Sequence, residues 1–128
     1  MLKYLTMGAH DLKASGAFYS KVLKSIGYEE LESADYGMGF GPKGGKAQFW
    51  VMKPGNGLPA SYGNGTMIAL VAPSRRAVDD FHRIALESGG FDEGKPGIRG
   101  AADSNFYAAY VRDPSGNKIS AVCDKPES

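Results

Sequence analysis

The stretch that decides the fold lies near the C-terminus and reads Arg112-Asp113-Pro114-Ser115-Gly116-Asn117-Lys118-Ile119. It separates two apolar runs, Tyr107–Val111 and Ile119–Cys123, which have the length and composition of strands. Proline presets φ for a turn, glycine supplies a positive φ, and aspartate and asparagine side chains bond to nearby backbone groups. The stretch therefore predicts a β-hairpin with a tight, polar tip.

Outward from this hairpin, the same order of elements occurs twice along the chain. A strand pattern is followed by a helix, for which Asp11 is the predicted N-cap in the first half and Ser74 in the second. Each helix carries an apolar stripe and ends near glycine. The predicted strands are Leu2–Gly8, Tyr28–Ala34, Tyr36–Gly41, Ala47–Met52, Thr66–Ala72, a weak candidate at Phe91–Ile98, and the two hairpin strands.

The repeated β-α-β-β-β order predicts an α+β fold made of tandem modules within one domain that spans residues 1–128. The first module covers residues 1–53, a linker rich in glycine and proline covers 54–65, and the second module covers 66–128. One helix cannot cover both faces of a four-stranded sheet. We therefore expect two curved mixed sheets around a shared interior, with the helices outside and a cavity for a small molecule between the sheets.

Composition excludes several classes of function. The chain has 15 basic and 14 acidic residues, a net charge of +1 and no strongly basic segment, which argues against nucleic-acid binding. No apolar run approaches the length of a membrane span, and the N-terminus lacks a signal-peptide pattern. The single cysteine, Cys123, excludes an intrachain disulfide, so we expect a reduced, cytoplasmic protein.

Three stretches of the sequence resemble the vicinal oxygen chelate superfamily, which includes glyoxalase I, bleomycin and fosfomycin resistance proteins and extradiol dioxygenases. They are Gly8-Ala9-His10-Asp11-Leu12 with Ala17-Phe18-Tyr19 and Val22-Leu23, the strand-like Gly65–Leu70, and the turn Asp113–Asn117 with the strand after it. Together they span nearly the whole chain. The resemblance implies a curved, cavity-enclosing glyoxalase-like fold with mixed sheets.

The resemblance also implies where a divalent metal would be held, with one ligand on each of four strands. In this chain those positions fall on Tyr4, on or near Trp50, on Met67 and on Ser120. Neutral tyrosine and serine are poor ligands, thioethers prefer soft metals, and tryptophan cannot coordinate. We therefore expect no catalytic metal at these positions and no other cofactor.

Strand alternation and the hairpin register select the side chains that would line the cavity. If the turn is centred on Ser115, then Tyr110 stands opposite Ser120 and both point into the cavity. The predicted ligand-binding set is aromatic and amphipathic, and consists of Tyr4, Thr6, Gln48, Trp50, Met67, Tyr110 and Ser120. Such a set would stack on a planar or apolar ligand, while hydroxyl and amide groups fix its orientation.

The other chemically interesting residues have structural explanations. His10 adjoins the predicted helix cap, and His82 follows Phe81 on the second helix, which places it on the outer, solvated side. Cys123 should pack beneath a helix as a small hydrophobe. Arg99 and Tyr62 lie in predicted loops that could border the cavity mouth.

These observations favour a protein that binds a small, partly aromatic molecule without the usual divalent metal. One alternative is a glyoxalase-like lyase or isomerase that uses an unrecognised metal site or Tyr110 as acid or base, although an ordinary tyrosine pKa near 10 suits this poorly. A second alternative is a structural or regulatory dimer module whose interior is filled by side chains. In relatives that sequester drugs, sites often form between two chains, so the resemblance also implies a homodimer.

Overall fold

The structure is a computed structural model that describes residues 1–126, so the last two residues of the predicted second module lie outside it. Its two α-helices are α1 (Leu12–Val22) and α2 (Arg75–Glu87), and a short 3₁₀ turn follows α1 at Lys24–Ile26. Within the described chain the strands are β1 (Leu5–Gly8), β2 (Tyr28–Ala34), β3 (Gly37–Pro42), β4 (Phe49–Met52), β5 (Ile68–Val71), β6 (Phe91–Ile98), β7 (Tyr107–Arg112) and β8 (Lys118–Cys123).

The strands form two four-stranded mixed sheets of the same topology. The first sheet has the order β1-β4-β3-β2 and the second has the order β5-β8-β7-β6. The parallel pairs are β1 with β4 in the first sheet and β5 with β8 in the second, and the remaining pairs are antiparallel. The predicted α+β class and the repeated β-α-β-β-β order are therefore confirmed, although the two sheets are not closed around an enclosed space.

The two edge strands β1 and β5 are shorter than the sequence pattern predicts. They begin at Leu5 and Ile68, because each pairs along only four residues with its single neighbour. The weak candidate Phe91–Ile98 forms a strand over its full predicted length. Its pairing with β7 shifts register near Gly94 and Gly97, which explains why its alternation is poor in the sequence.

Both predicted helix caps are present. The carboxylate of Asp11 accepts a hydrogen bond from the Ala14 amide at 3.1 Å, and the hydroxyl of Ser74 accepts one from the Ala77 amide at the same distance. The chain leaves the turn after α1 through Gly27, whose φ of 97° suits glycine best. Within residues 1–126, neither helix combines the length and the apolar composition that crossing a membrane requires.

One hydrophobic core joins the two halves of the chain on the helix side of both sheets. Side chains of α1 such as Phe18 and Tyr19 belong to the same buried cluster as Val78 and Phe81 of α2. The two helices contact each other within this core. The buried core therefore lies between the helices and the sheets, whereas the sequence pattern predicts a shared interior between the two sheets.

The turn at Asp113 ties the second half of the chain to the first. Asp113 is 1% exposed, and its carboxylate accepts a hydrogen bond from the hydroxyl of Tyr19 on α1 at 2.6 Å. The same carboxylate accepts from the amides of Ser115 and Asn117 and from the Asn117 side chain, at 2.8–2.9 Å. The side-chain Nδ2 of Asn117 also donates to the carbonyl of Gly8 at 2.8 Å. The predicted hairpin is thus confirmed and also serves as the polar junction between the halves.

Burial raises the pKa of the Tyr19 hydroxyl well above its ordinary value, and the negative charge of Asp113 and the hydrogen bond to it raise it further. Above about pH 10 the unfolded chain releases this proton while the folded chain keeps it. We expect the free energy of unfolding to fall by about 1.4 kcal/mol per pH unit beyond that point, from this group alone. Urea unfolding between pH 8 and about 11 measures the slope, which should be smaller in Tyr19→Phe. An equal slope in both proteins would contradict the assignment.

The placement of His82 on the solvated side of α2 is wrong. The residue is 9% exposed, and its Nε2 lies 2.8 Å from a carboxylate oxygen of Asp92 at the start of β6. The hydrogen bond with His82 is the main cause that lowers the pKa of Asp92, and a hydrogen bond from the Gly94 amide lowers it further. The buried face of α2 is wider than the apolar stripe through Phe81 predicts, because α2 packs on β6 as well as on β7. Cys123 is 2% exposed within the core, as predicted.

Candidate functional site

Each sheet has one face toward the helices and one face away from them, which we call its open face. On the first sheet, the open face carries Thr6 of β1 together with Trp50 and Met52 of β4, while Met7, Phe49 and Val51 point into the core. On the second sheet, the alternation with the core residues Ile119, Ala121 and Cys123 places the following side chains on the open face: Met67, Ala69, Val71, Ala108, Tyr110, Arg112, Lys118, Ser120 and Val122.

Trp50, the only tryptophan of the chain, forms an aromatic platform on the first open face. It stands directly opposite Gly39 of β3. A Cβ atom added at Gly39 would lie 2.9 Å from two carbons of the indole ring and 2.8 Å from the side chain of Ala47. The absence of a side chain at this position therefore lets the indole pack against the backbone of β3, while the residue stays partly exposed.

A shallow cavity of about 390 Å³ lies over this platform. Its lining residues are Tyr4, Thr6, Tyr36, Trp50 and Met52, and all five belong to the first half of the chain. Tyr4 and Tyr36 are 57% and 54% exposed, which is high for aromatic side chains. The first open face is thus an apolar, aromatic surface that also carries tyrosine and threonine hydroxyls, and within residues 1–126 the second half of the chain reaches it only at Thr6, which borders a second cavity with Asn117 and Lys118.

The structure brings three of the seven predicted site residues together, namely Tyr4, Thr6 and Trp50. Gln48 precedes β4 and lines a different cavity, of about 170 Å³, which Tyr4 also borders. The remaining lining residues of that cavity include Leu5, Phe40 and Phe49, which face the helix side. Gln48 and Trp50 therefore line different cavities, and Tyr4 borders both.

The other three predicted residues lie on the second open face. Tyr110 is paired with Ser120 and Arg112 with Lys118, so the predicted hairpin register is confirmed. Met67 is 38% exposed, whereas Ser120 is fully buried. Within residues 1–126 the Ser120 hydroxyl is buried and has no hydrogen-bond partner. A buried hydroxyl without a partner is unfavourable by itself, so this atom calls for an explanation.

Tyr110 is flanked by two cationic side chains. The guanidinium of Arg99 lies 5.3 Å from the centre of its ring, and the amino group of Lys118 lies 5.6 Å from it. Tyr110 also stands opposite Gly94, where an added Cβ would approach the ring to 2.9 Å and Arg99 to 3.3 Å. Tyr110 on the second sheet therefore repeats the arrangement of Trp50 on the first, an aromatic ring seated over a glycine of the neighbouring strand.

A third cation on this face is already paired. Arg112 donates to a carboxylate oxygen of Glu93 at 2.7 Å and to the carbonyl of Gly116 at 2.9 Å. Its guanidinium also lies 5.3 Å from the ring centre of Tyr62. The hydrogen bond from Arg112 and the positive charges of Arg112 and Lys118 lower the pKa of Glu93. Glu93 is therefore ionised at neutral pH and is engaged by Arg112.

The resemblance places the superfamily's four metal-ligand positions on Tyr4, on or near Trp50, on Met67 and on Ser120. The side chains there are a phenol, an indole, a thioether and a hydroxyl, which are not a set that a divalent metal of the usual kind prefers. Nor does the part of the chain that the structure describes contain three clustered His, Cys, Asp or Glu side chains that could hold a metal ion. His10 is exposed, and its backbone amide donates to the hydroxyl of Ser115 at 2.9 Å.

Tyr36, Arg99 and Lys118 also belong to the two open faces, although the sequence pattern does not place them in the predicted ligand-binding set. Tyr36 lies in the β2–β3 turn, and its proximity to Met52 follows from the pairing of Gly37 with Met52. That register could have been found only by aligning the two strands correctly. Arg99 was placed at the border of the cavity, whereas its side chain lies across the second open face, over Tyr110.

Comparisons with known proteins agree with this architecture. The model of the Glyoxalase/Bleomycin resistance protein/Dioxygenase superfamily matches residues 2–121. A glyoxalase/bleomycin resistance protein from Albidiferax ferrireducens T118 has a similar crystal structure, with 32% identity, coverage of 98% of this chain and 99% of that one, and a TM-score of 0.85. No curated protein is significantly similar to the chain in sequence.

More distant solved structures share the fold. The genomically encoded fosfomycin resistance protein FosX from Listeria monocytogenes is 18% identical, with coverage of 98% of this chain and 93% of that one and a TM-score of 0.70. Lactoylglutathione lyase from Agrobacterium tumefaciens is 21% identical, with coverage of 96% and 92% and a TM-score of 0.62. On the match over residues 2–121 and the repeated β-α-β-β-β architecture, the chain belongs to the glyoxalase/bleomycin resistance protein/dioxygenase superfamily.

Proposed function

We propose that this protein binds a small, partly aromatic molecule on its open faces, without a divalent metal at the inherited positions. The observation that carries the proposal is the exposed aromatic surface around Trp50, with its cavity of about 390 Å³. Aromatic side chains that a monomer leaves half-exposed in a concave surface are typical of ligand sites. The hydroxyls of Tyr4 and Thr6 at the border of this cavity could orient a polar substituent of the ligand.

The chemistry of the four inherited positions supports binding without a metal. A divalent cation held only by neutral phenol, thioether and hydroxyl groups would lose most of its hydration without charged or imidazole ligands to replace it. The aromatic ring of Trp50 instead offers a flat apolar surface at the place where the family holds a metal ligand. Stacking and apolar contact therefore replace coordination as the source of affinity in this proposal.

We further propose that two copies of the chain form a homodimer that covers the open faces. The edge strands β1 and β5 and the residues just before them leave apolar side chains exposed, among them Tyr4 at 57%, Met67 at 38% and Val71 at 73%. The cavity over Trp50 has no lining residue from the second half of its own chain. A partner whose second open face lies over it would complete the site with Met67 and Tyr110.

The test is a thermal-shift screen of aromatic compounds on the purified protein, combined with sedimentation and with elemental analysis of divalent metals. A compound that binds only the folded state raises Tm, by an amount set by its concentration relative to Kd. We expect planar aromatic compounds to raise Tm and to change Trp50 fluorescence, in a dimer that contains no stoichiometric metal. A stoichiometric divalent metal would favour the lyase or isomerase alternative. A protein whose Tm and fluorescence respond to no compound class would favour the filled structural module.

A further inference from the structure

The second open face presents a cationic surface without a matching carboxylate. Arg99 and Lys118 both lie over the ring of Tyr110. Within residues 1–126, no carboxylate oxygen lies within 4.0 Å of either cationic group. Glu93, the carboxylate that acts on Lys118 through its charge, is bonded to Arg112. Of the three cations on this face, only Arg112 thus has a carboxylate within ion-pair distance in the described chain.

Two buried polar atoms beside Tyr110 also lack partners in the described chain. One is the hydroxyl of Ser120, which stands directly opposite Tyr110 on β8 and is fully buried. The other is Nε of Arg99, whose terminal nitrogen donates to the carbonyl of Lys95. Burial of donors without acceptors costs free energy, and an acceptor supplied from outside the chain would remove that cost.

We propose that Arg99, Lys118 and Ser120 form a subsite for an oxyanion, a carboxylate or a phosphate, carried by the aromatic ligand of the proposed function. The guanidinium of Arg99 offers a fork of donors and Lys118 a mobile ammonium group, both suited to an oxyanion. Arg99 and Lys118 have flexible stems, and their movement onto the anion would uncover the hydroxyl of Ser120 as a third donor. The Tyr110 ring below them would contact the aromatic part of the ligand. This inference rests on the proposed function and adds the charge of the ligand to it.

The probes for the test are naphthoate, naphthyl phosphate and the neutral amide naphthamide, which have the same ring system. Calorimetric titration of the intact protein should give a Kd for an anionic probe at least about tenfold below that for naphthamide, because charge-assisted hydrogen bonds contribute more than neutral ones. Added KCl should weaken binding of the anions and leave naphthamide unchanged. Whichever anion binds more tightly identifies the oxyanion.

Arg99→Gln and Lys118→Gln should each reduce the preference for the anion by about tenfold and leave the Kd of naphthamide nearly unchanged. Arg83→Gln is the matched control, since it removes the same charge from an exposed position on α2 where its partners are Asp80 and Glu87. A Tm close to that of the parent protein shows that each variant is folded.

Equal Kd values for naphthoate, naphthyl phosphate and naphthamide would overturn the subsite and leave the proposed aromatic site intact. Binding of none of the three probes would count against both proposals. If Arg99→Gln changed the sedimentation coefficient but not the anion preference, the cation would serve a carboxylate of a second copy of the chain, and the subsite would again be refuted.

Discussion

Replacement of Asp113 by alanine is expected to lower the free energy of unfolding by about 3 kcal/mol or more, because several buried donors then lose their acceptor. Those donors are the hydroxyl of Tyr19, the amides of Ser115 and Asn117, and the Asn117 side chain. For a chain of this length such a loss corresponds to a decrease in Tm of about 10 °C. Urea unfolding and thermal denaturation measure the two quantities.

Asp113→Asn sharpens this prediction, since it preserves the shape of the side chain. Every contact of the Asp113 carboxylate is with a donor, so either orientation of the amide points its NH₂ group at a donor. We expect it to be nearly as destabilising as alanine. Asp35→Ala, in the exposed turn between β2 and β3, removes a carboxylate where burial is absent and should change stability by less than about 0.5 kcal/mol. A fully stable Asp113→Asn would refute the role of the carboxylate as acceptor.

Replacement of Trp50 by alanine is expected to weaken the binding of naphthoate and naphthamide alike by about 30-fold or more, which is the loss typical of a central aromatic contact. The indole belongs to the largest side chain among the residues that line this cavity, the others being Tyr4, Thr6, Tyr36 and Met52. Because the substitution also removes the fluorescent reporter, calorimetry is the appropriate measurement. Trp50→Phe retains an aromatic ring over Gly39 and should lose less affinity than alanine does.

Leu86→Ala provides the control for this substitution. Leu86 is 42% exposed on α2, on the opposite side of the core from the open faces. Its truncation removes apolar surface without touching the proposed site, so the Kd of both probes should remain unchanged. Equal affinities in Trp50→Ala and the parent protein would show that the ligand, if one binds, lies elsewhere.

Much of the fold is predictable from local signals in the sequence. The caps at Asp11 and Ser74 and the turn at Asp113–Asn117 depend on contacts within a few residues, and all three form as predicted. The exact bounds of β1 and β5 are harder to predict from the sequence, because an edge strand ends where its single neighbour stops pairing. His82 was misplaced for a similar reason, since its burial depends on Asp92 of a strand whose irregular register hides its alternation.

The sequence predicts which side chains share a face of a strand, but it does not predict how the two faces lie relative to each other. Alternation correctly placed Thr6 and Trp50 on one face and Tyr110 opposite Ser120. It could not show that these two groups lie on separate open faces, because the relative positions of two sheets depend on how the helices pack. The placement of Arg99 over Tyr110 cannot be predicted from the sequence either, since it depends on the space left by Gly94.

The most direct test of the central claim is a fluorescence titration of the single tryptophan with naphthoate, on protein stripped with EDTA and again after addition of zinc. We expect a saturable change in Trp50 fluorescence with the same Kd in both samples, because the aromatic surface supplies the affinity and no metal takes part. A change that appears only when a stoichiometric divalent metal is restored would refute metal-free binding, and the absence of any change in either sample would refute binding at Trp50.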